Sequence, residues 1–145
     1  MKNGVKVVLS ILAIVAVLSL PIFSSYNGLV TLDEAVTSAW SQVENQLQRR
    51  VDLIPNLVNT VKGYASHEEQ IFTEVTKARE RLMGAGSMTD KAQADEELSG
   101  ALSRLIAIAE NYPELKADAN FRQLSDELAG TENRIATSRR DYNQT

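Results

Sequence analysis

The feature that most constrains this chain is a long stretch near its N-terminus that carries no charge. No Asp, Glu, Lys or Arg occurs from Val7 to Leu32, and most of the residues between them are apolar. As a helix, residues 5–23 would extend about 28 Å, close to the roughly 30 Å hydrocarbon core of a bilayer. The sequence therefore predicts an N-terminal transmembrane helix, with residues 1–25 as an anchor that contacts lipid through residues 5–23.

A cleaved secretory signal is the alternative interpretation of the same stretch, since a short basic segment precedes the apolar run. A cut after Ser25 would place Phe23 three residues before the cleavage point, where signal peptidase requires a small residue. The poor cleavage context favours a retained anchor. Cleavage would instead release a secreted soluble bundle.

The orientation of such an anchor follows from its flanking charges. Lys2 and Lys6 precede the apolar run, and the first basic residue after it is Arg49. Under the positive-inside rule the N-terminus faces the cytoplasm. The remainder is then expected on the periplasmic or extracellular side of a single-pass membrane protein.

Composition excludes several kinds of site. The chain has no Cys and one His, and its formal net charge is -4. Thiol chemistry, Cys zinc sites and sites with two imidazoles are therefore excluded, and a nucleic-acid partner is not expected because no concentrated basic face is present. No catalytic constellation, cofactor or metal is predicted, and the chain is not expected to be an enzyme. His67 in Ser66-His67-Glu68-Glu69 resembles a phosphorelay histidine only over four residues, and an exposed histidine beside a helix cap is the simpler interpretation.

Beyond Tyr26 the apolar residues recur at helical spacing throughout. In the first helix they form one stripe, which consists of Leu32, Val36, Trp40, Val43 and Leu47. Proline is costly inside a helix, so Pro55 predicts that this helix ends near Val51 and that a second begins with Asp52 as its N-cap. One long, kinked helix is the alternative.

Three further helices are predicted. The second would end at Gly84-Ala85-Gly86, with a possible break at a Ser66–Glu69 capping box. The third would be capped by Thr89 or Asp90 and end before Pro113. After a short helical turn from Pro113 to Ala117, an Asn120–Gln123 capping box would begin the fourth, whose apolar spacing of three and four is typical of coiled coils.

Four amphipathic helices with short connections predict an all-α fold, an antiparallel up-and-down four-helix bundle over residues 26–145. Its Gly84-Ala85-Gly86 loop and Tyr142 are expected at the end near the anchor. The predicted core consists of Trp40, Val43, Leu47, Leu57, Val61, Leu102, Leu105, Leu124, Leu128 and Ile135. Trp40 is expected near Thr131 and Glu132.

Three distinctive motifs occur between Tyr26 and Asn143, namely QLQRRVDLIPNLV, NYPELKA and TENRIA. Through these motifs, nearly all of residues 26–143 resembles the LemA family. The resemblance implies an N-terminal membrane anchor followed by a LemA-like four-helix bundle, in a bacterial family without established enzymatic activity. Relatives usually continue beyond the Tyr142-Asn143 pair with more helix.

A polar patch is predicted at the bundle end far from the anchor. Its members are Arg49, Arg50, Asp52, Asn56, Glu110, Asn111, Tyr112 and Asn120. Arg50 lies close to the apolar stripe and needs a carboxylate, for which Glu110 or Asp52 are the candidates. A salt bridge that stabilises the turn is the structural interpretation, and partner binding is the functional one. A carboxylate metal site built from Glu44, Asp52, Glu110 and Glu132 is not predicted, because most of these residues are expected at different positions along the bundle axis.

The function predicted from these features is that of a non-enzymatic, membrane-anchored bundle. It would act as an envelope scaffold or adaptor through contacts with other envelope proteins or with itself, as a homo-oligomer. The alternative is a membrane-tethered signalling or sensory bundle, which would work by phosphotransfer or by binding a ligand.

Overall fold

The computed structural model describes residues 2–145, except for the side chains at positions 2, 3, 5, 10 and 13–24. Within these limits the secondary structure is entirely helical. Five α-helices and one 3-10 turn follow each other: α1 Lys2–Tyr64, α2 Glu69–Gly84, α3 Met88–Ala107, the 3-10 turn Ile108–Asn111, α4 Pro113–Ala117 and α5 Ala119–Gln144. The predicted all-α class is confirmed.

The first helix does not end near Val51, so the predicted break before Pro55 is wrong. Helix α1 continues to Tyr64, which is the long-helix alternative. Proline has no N–H, so the carbonyl of Val51 loses its usual donor four residues later. Arg79 of α2 replaces that donor, since its Nε donates to the Val51 carbonyl oxygen at 3.0 Å. A side chain from the neighbouring helix therefore satisfies the acceptor that the proline leaves free.

The remaining helices begin close to the predicted places but use other caps. Helix α2 starts at Glu69, and Glu68 at its N-cap makes no side-chain cap. Ser87 caps α3 by accepting from the backbone N–H of Asp90 at 3.0 Å. Asp118 caps α5 in the same way. The capping boxes predicted at Ser66 and Asn120 are therefore wrong by two residues, whereas the Pro113–Ala117 turn is confirmed as α4.

The C-terminal half of α1 and helices α2, α3 and α5 form an up-and-down bundle. Helix α1 packs closely against α5, and α2 packs against α3. The Gly84-Ala85-Gly86 loop lies at the same end as the C-terminus of α5, since the hydroxyl of Tyr142 is 3.0 Å from the sulfur of Met88. The prediction that this loop and Tyr142 lie at the same end of the bundle is therefore confirmed.

The core follows the predicted stripes. Eight of the ten predicted core residues are buried, and Trp40 and Leu124 are partly buried against them. Trp40 does not lie as predicted beside Thr131 and Glu132, because its ring contacts that of Tyr142, edge to face, with 5.4 Å between centroids. This aromatic pair therefore packs at the same end of the bundle as the Gly84-Ala85-Gly86 loop.

The prediction of an N-terminal transmembrane helix is wrong. Among the described residues, no helix contains a run long and apolar enough to cross a membrane. Positions 13–24, the centre of the predicted span, lie outside the described side chains. The orientation predicted from the flanking lysines depended on that span and has no support without it.

The N-terminal part of α1 nevertheless extends beyond the bundle. Residues 25–34 are exposed, and burial of α1 begins only near Val36. At 1.5 Å per residue, the part before Val36 is about 50 Å long. Its exposed large apolar side chains are those of Val7, Val8, Leu9, Ile11, Leu12, Tyr26, Leu29, Val30 and Leu32.

Candidate functional site

The continuous α1 separates the eight residues that were predicted to form one polar patch. Arg49, Arg50, Asp52 and Asn56 lie within the helix instead of in a turn. About 21 Å of helix separates Arg50 from the end of α1 at Tyr64. The patch is therefore divided into a central part, which contains Arg49, Arg50 and Asp52, and a distal part, which contains Asn56, Glu110, Asn111, Tyr112 and Asn120.

Arg50 is the deepest charged residue of the central part. It is only 2% exposed, and its Nη1 donates to the carboxylate of Asp95 on α3 at 2.8 Å. Asp95 is 4% exposed. Glu110 and Asp52, the predicted partners of Arg50, are not its partners. The prediction that Arg50 would sit at the core and need a carboxylate was therefore correct, but the carboxylate comes from another helix.

Two residues of α5 complete this cluster. Arg139 approaches the second oxygen of Asp95 to 3.2 Å, and Glu132 lies 3.8 Å from Nη2 of Arg50. The side chain of Glu132 is 61% exposed. The buried carboxylate is therefore shared by two guanidinium groups, while the second carboxylate stays largely in water. We call Arg50, Asp95, Glu132 and Arg139 the central ion cluster.

Sequence reasoning missed Asp95 and Arg139, although a signal for both was present. Asp95 precedes Leu98, Leu102 and Leu105 at spacings of three, four and three, so it occupies the apolar stripe of α3. Arg139 follows Ile135 by four residues on α5. A charged residue on an apolar stripe indicates a buried pair.

The central ion cluster lies at the floor of an open groove between α3 and α5. The groove has a volume of about 470 Å³, and its walls include Thr89, Gln93, Glu96 and Ser99 of α3. Arg50 of α1 also lines the groove, together with Asp95, Glu132 and Arg139. The arrangement brings buried charge within reach of a ligand.

The other two central residues are exposed and make weak contacts. Arg49 is 3.8 Å from Glu127, and its side chain is 57% exposed. Asp52 accepts a hydrogen bond from the side-chain amide of Gln48, one turn earlier in α1, at 2.8 Å. Neither residue contributes to the central ion cluster.

The distal part contains a groove lined by amide side chains. Asn56 and Asn120 are brought together there, on α1 and α5, with Asn59 and Gln123 beside them. This groove combines hydrogen-bond donors and acceptors without net charge. Asn56 and Asn120 are therefore two members of the predicted patch that lie together in the structure.

The connection before α5 carries the rest of the distal part. Glu110 pairs with Lys116 at 2.6 Å. Tyr112 is partly buried, and its hydroxyl lies 3.5 Å from Glu68 in the turn that follows α1. Asn111 is exposed. These contacts join the distal connections to each other.

A tyrosine–carboxylate hydrogen bond also joins these connections. Tyr64 donates to Asp118 at 3.0 Å. This bond raises the pKa of the Tyr64 phenol. The pKa of the Asp118 carboxyl is lowered, first by the backbone N–H of Phe121 and also by Tyr64. Both shifts favour the same state at neutral pH, a carboxylate held by a neutral phenol.

A second charge contact lies near the opposite end of the bundle. Lys91 of α3 pairs with Glu44 of α1, and this hydrogen bond lowers the pKa of the Glu44 carboxyl. The Lys91 ammonium also lies 5.9 Å from the centroid of the Trp40 ring. The contact links α1 to α3 beside the aromatic pair.

The sole histidine and the candidate carboxylates do not form a reactive centre. His67 is exposed in the turn between α1 and α2 rather than on a bundle helix. Glu44, Glu110 and Glu132 have separate cationic neighbours. Among the described side chains, no three acidic or histidine residues are grouped so that they could hold a metal ion.

The fold and these sites define a class of protein: a helical bundle whose first helix extends far outside it and whose core contains an ion cluster. The chain belongs to the LemA family, whose model matches residues 39–145.

The chain is also similar to several curated proteins, one of which is named LemA. The chain is similar to magnetosome protein MamQ 2 of Paramagnetospirillum magneticum strain AMB-1, with 30% identity over 94% of this chain and 59% of that protein. It is similar to magnetosome protein MamQ of Magnetospirillum gryphiswaldense strain MSR-1, with 29% identity over 93% and 59%. Protein LemA of Metamycoplasma hominis is 24% identical over 81% of this chain and 54% of that protein. The chain thus spans less than two thirds of the length of these relatives.

Proposed function

We propose that this chain is a membrane-associated, non-enzymatic adaptor of the bacterial envelope, in which the LemA-like domain of residues 26–145 binds other proteins or further copies of itself. The observation that carries the proposal is the part of α1 outside the bundle. The naming of the MamQ relatives as magnetosome proteins is consistent with a place at a membrane. The proposal has two components, a contact with lipid and a contact with protein.

The lipid contact rests on the exposed apolar residues at the start of α1. Val7, Val8, Leu9, Ile11 and Leu12 are each 55 to 60% exposed. Successive residues of a helix are about 100° apart, so these five lie on one face that spans an arc of about 200°. An apolar helix face of this width is ordinarily buried against apolar material. The acyl region of a membrane supplies it, at about 0.8 kcal/mol for each CH₂ group removed from water.

The protein contact is assigned to the distal part of the bundle. Asn56 and Asn120 border a groove whose uncharged amides can pair with a partner's backbone or side chains. The predicted partner-binding residues Glu110, Asn111 and Tyr112 lie in the connection that leads to α5. Arg50 belongs to the core instead. A partner would therefore meet the distal end, away from the part of α1 that contacts lipid.

Vesicle flotation of the full chain tests the lipid contact. We expect the chain to float with phosphatidylcholine vesicles and the double variant Val8→Asp with Leu12→Asp to stay at the bottom of the gradient. The control Asn45→Asp with Asn59→Asp adds the same two charges to exposed positions of α1 inside the bundle, and it should float like the unaltered chain. Equal flotation of both double variants would refute the lipid contact at the start of α1.

Site-specific photo-crosslinking tests the protein contact. A benzophenone side chain at Asn120 should give a defined crosslinked product in cells, because this position borders the amide-lined groove. The same group at Thr137, an exposed position of α5 closer to its C-terminus, should give much less. A product of equal yield at both positions, or none at Asn120, would refute the assignment of the distal end.

A further inference from the structure

The central ion cluster has more hydrogen-bond donors than acceptors. A guanidinium group carries five N–H donors, and the buried Arg50 uses one of its two terminal nitrogens, Nη1, for Asp95. Its Nε is buried and has no hydrogen-bond partner among the described residues. Its Nη2 is 3.8 Å from Glu132, too far for a hydrogen bond. Burial of such donors without partners is unfavourable, so the cluster lacks an acceptor.

The donors without partners lie on one edge of the Arg50 guanidinium. Nε–H and one N–H of Nη2 point in the same direction, and this pair matches the two oxygens of a carboxylate. Arg139 lines the same groove as Arg50, and both arginines contact Asp95. Its side chain is 35% exposed at the groove. The groove between α3 and α5 therefore presents two guanidinium groups. Asp95 is the buried carboxylate that contacts both of them closely.

We propose that the Nε–Nη2 edge of Arg50 and the guanidinium of Arg139 bind a carboxylate group that enters the groove between α3 and α5. This site is distinct from the lipid contact and from the distal amide-lined groove. Glu96 and Glu132 at the groove walls disfavour ligands of high negative charge, so the site selects a single carboxylate. That carboxylate belongs to a small organic acid or to an acidic side chain of a bound protein.

NMR of the arginine side chains tests the site directly. The probe is sodium acetate, added to the full chain in mild detergent, with sodium chloride at the same ionic strength as the reference. We expect the Nε–Hε signal of Arg50 to shift saturably with acetate, with a dissociation constant on the order of millimolar. No saturable shift, or an equal shift with chloride, would overturn the proposal.

Variants of α5 give matched controls. Arg139→Gln should weaken acetate binding at least about tenfold, because it removes a charged donor. Arg140→Gln removes the neighbouring arginine, whose side chain is 67% exposed, and should leave binding unchanged. Trp40 fluorescence reports whether each variant remains folded. Equal acetate affinity of the two variants would overturn the role of Arg139.

Glu132 supplies a test that does not depend on the stability of Arg139→Gln. If acetate takes the free edge of Arg50, Glu132→Gln should strengthen acetate binding by about two- to fivefold, because it removes a competing exposed carboxylate. If Glu132 itself fills that edge in solution, the unaltered chain will not bind acetate. That result would overturn the proposal.

A second probe separates the two sources of the carboxylate. N-acetylglutamate N-methylamide presents a glutamate side chain between two peptide groups, as a protein would. Tighter binding of this probe than of acetate assigns the site to an acidic side chain of a partner. Equal or weaker binding assigns it to a small free carboxylate, and failure of both probes to bind overturns the site.

Discussion

The contact between Arg79 and the carbonyl of Val51 allows a sharp test of how α1 tolerates a proline. In the structure this hydrogen bond is 3.0 Å long and replaces the N–H that Pro55 lacks. Val51 is only 2% exposed, so removal of the donor leaves a buried carbonyl without a partner. Such a loss costs about 1 to 3 kcal/mol. We therefore expect Arg79→Met to lower the free energy of unfolding by about 2 kcal/mol.

The effect should depend on the residue at position 55. In a Pro55→Ala background the restored N–H can donate to Val51, and Arg79→Met should then cost about 0.5 kcal/mol or less. Urea unfolding of the full chain in mild detergent, followed by Trp40 fluorescence, measures all four proteins of this cycle. Arg81→Met is the control, since Arg81 forms only an exposed pair with Glu97, worth about 0 to 1 kcal/mol. An equal cost of Arg79→Met in both backgrounds would refute the explanation.

Three further predictions concern the bundle. Arg50→Gln should cost about 3 kcal/mol because it leaves the buried Asp95 with one cation fewer, whereas the exposed Arg49→Gln should cost less than about 1 kcal/mol; equal unfolding midpoints would contradict this. Leu128→Ala should cost about 2 to 5 kcal/mol in urea unfolding, because Leu128 is 3% exposed in the core, and a loss below about 0.5 kcal/mol would contradict that packing. The Asp118 carboxyl, held by a backbone N–H at the start of α5, has a folded pKa below its ordinary 3.8, so it stabilises the fold above that pH and less as the pH falls through the folded pKa. Wild type should therefore exceed Asp118→Asn in stability at pH 6, and the difference should close in acid; a constant difference from pH 6 to pH 2 would contradict the assignment.

The apolar stripes could be predicted from the sequence because burial follows helical periodicity directly. Val43, Leu47, Leu128 and Ile135 were placed in the core from spacing alone, and all four are buried. The same spacing does not show where a helix ends. Pro55 indicates a boundary only if nothing else satisfies the carbonyl four residues before it, and that partner comes from a different helix.

The partners of the charged residues could not be predicted for the same reason. The stripe showed that Arg50 needs a carboxylate, but the choice among acidic residues depends on how the helices pack around it. Asp95 lies 45 residues away in the chain. For α5, both Asp118 and Asn120 are suitable caps, and local sequence does not distinguish them. The predicted transmembrane helix rested on composition alone, and the described residues do not support it.

The central claim is that the chain associates with a membrane through the part of α1 outside the bundle while the bundle stays free to bind protein. Hydrogen–deuterium exchange of the full chain, with and without phosphatidylcholine vesicles, tests this claim most directly. Vesicles should slow exchange of backbone amides near Val7–Leu12, where the exposed side chains are apolar, and leave α2, α3 and α5 unchanged. Unchanged exchange in that part of α1, or slowing that spreads evenly over the bundle helices, would contradict the account.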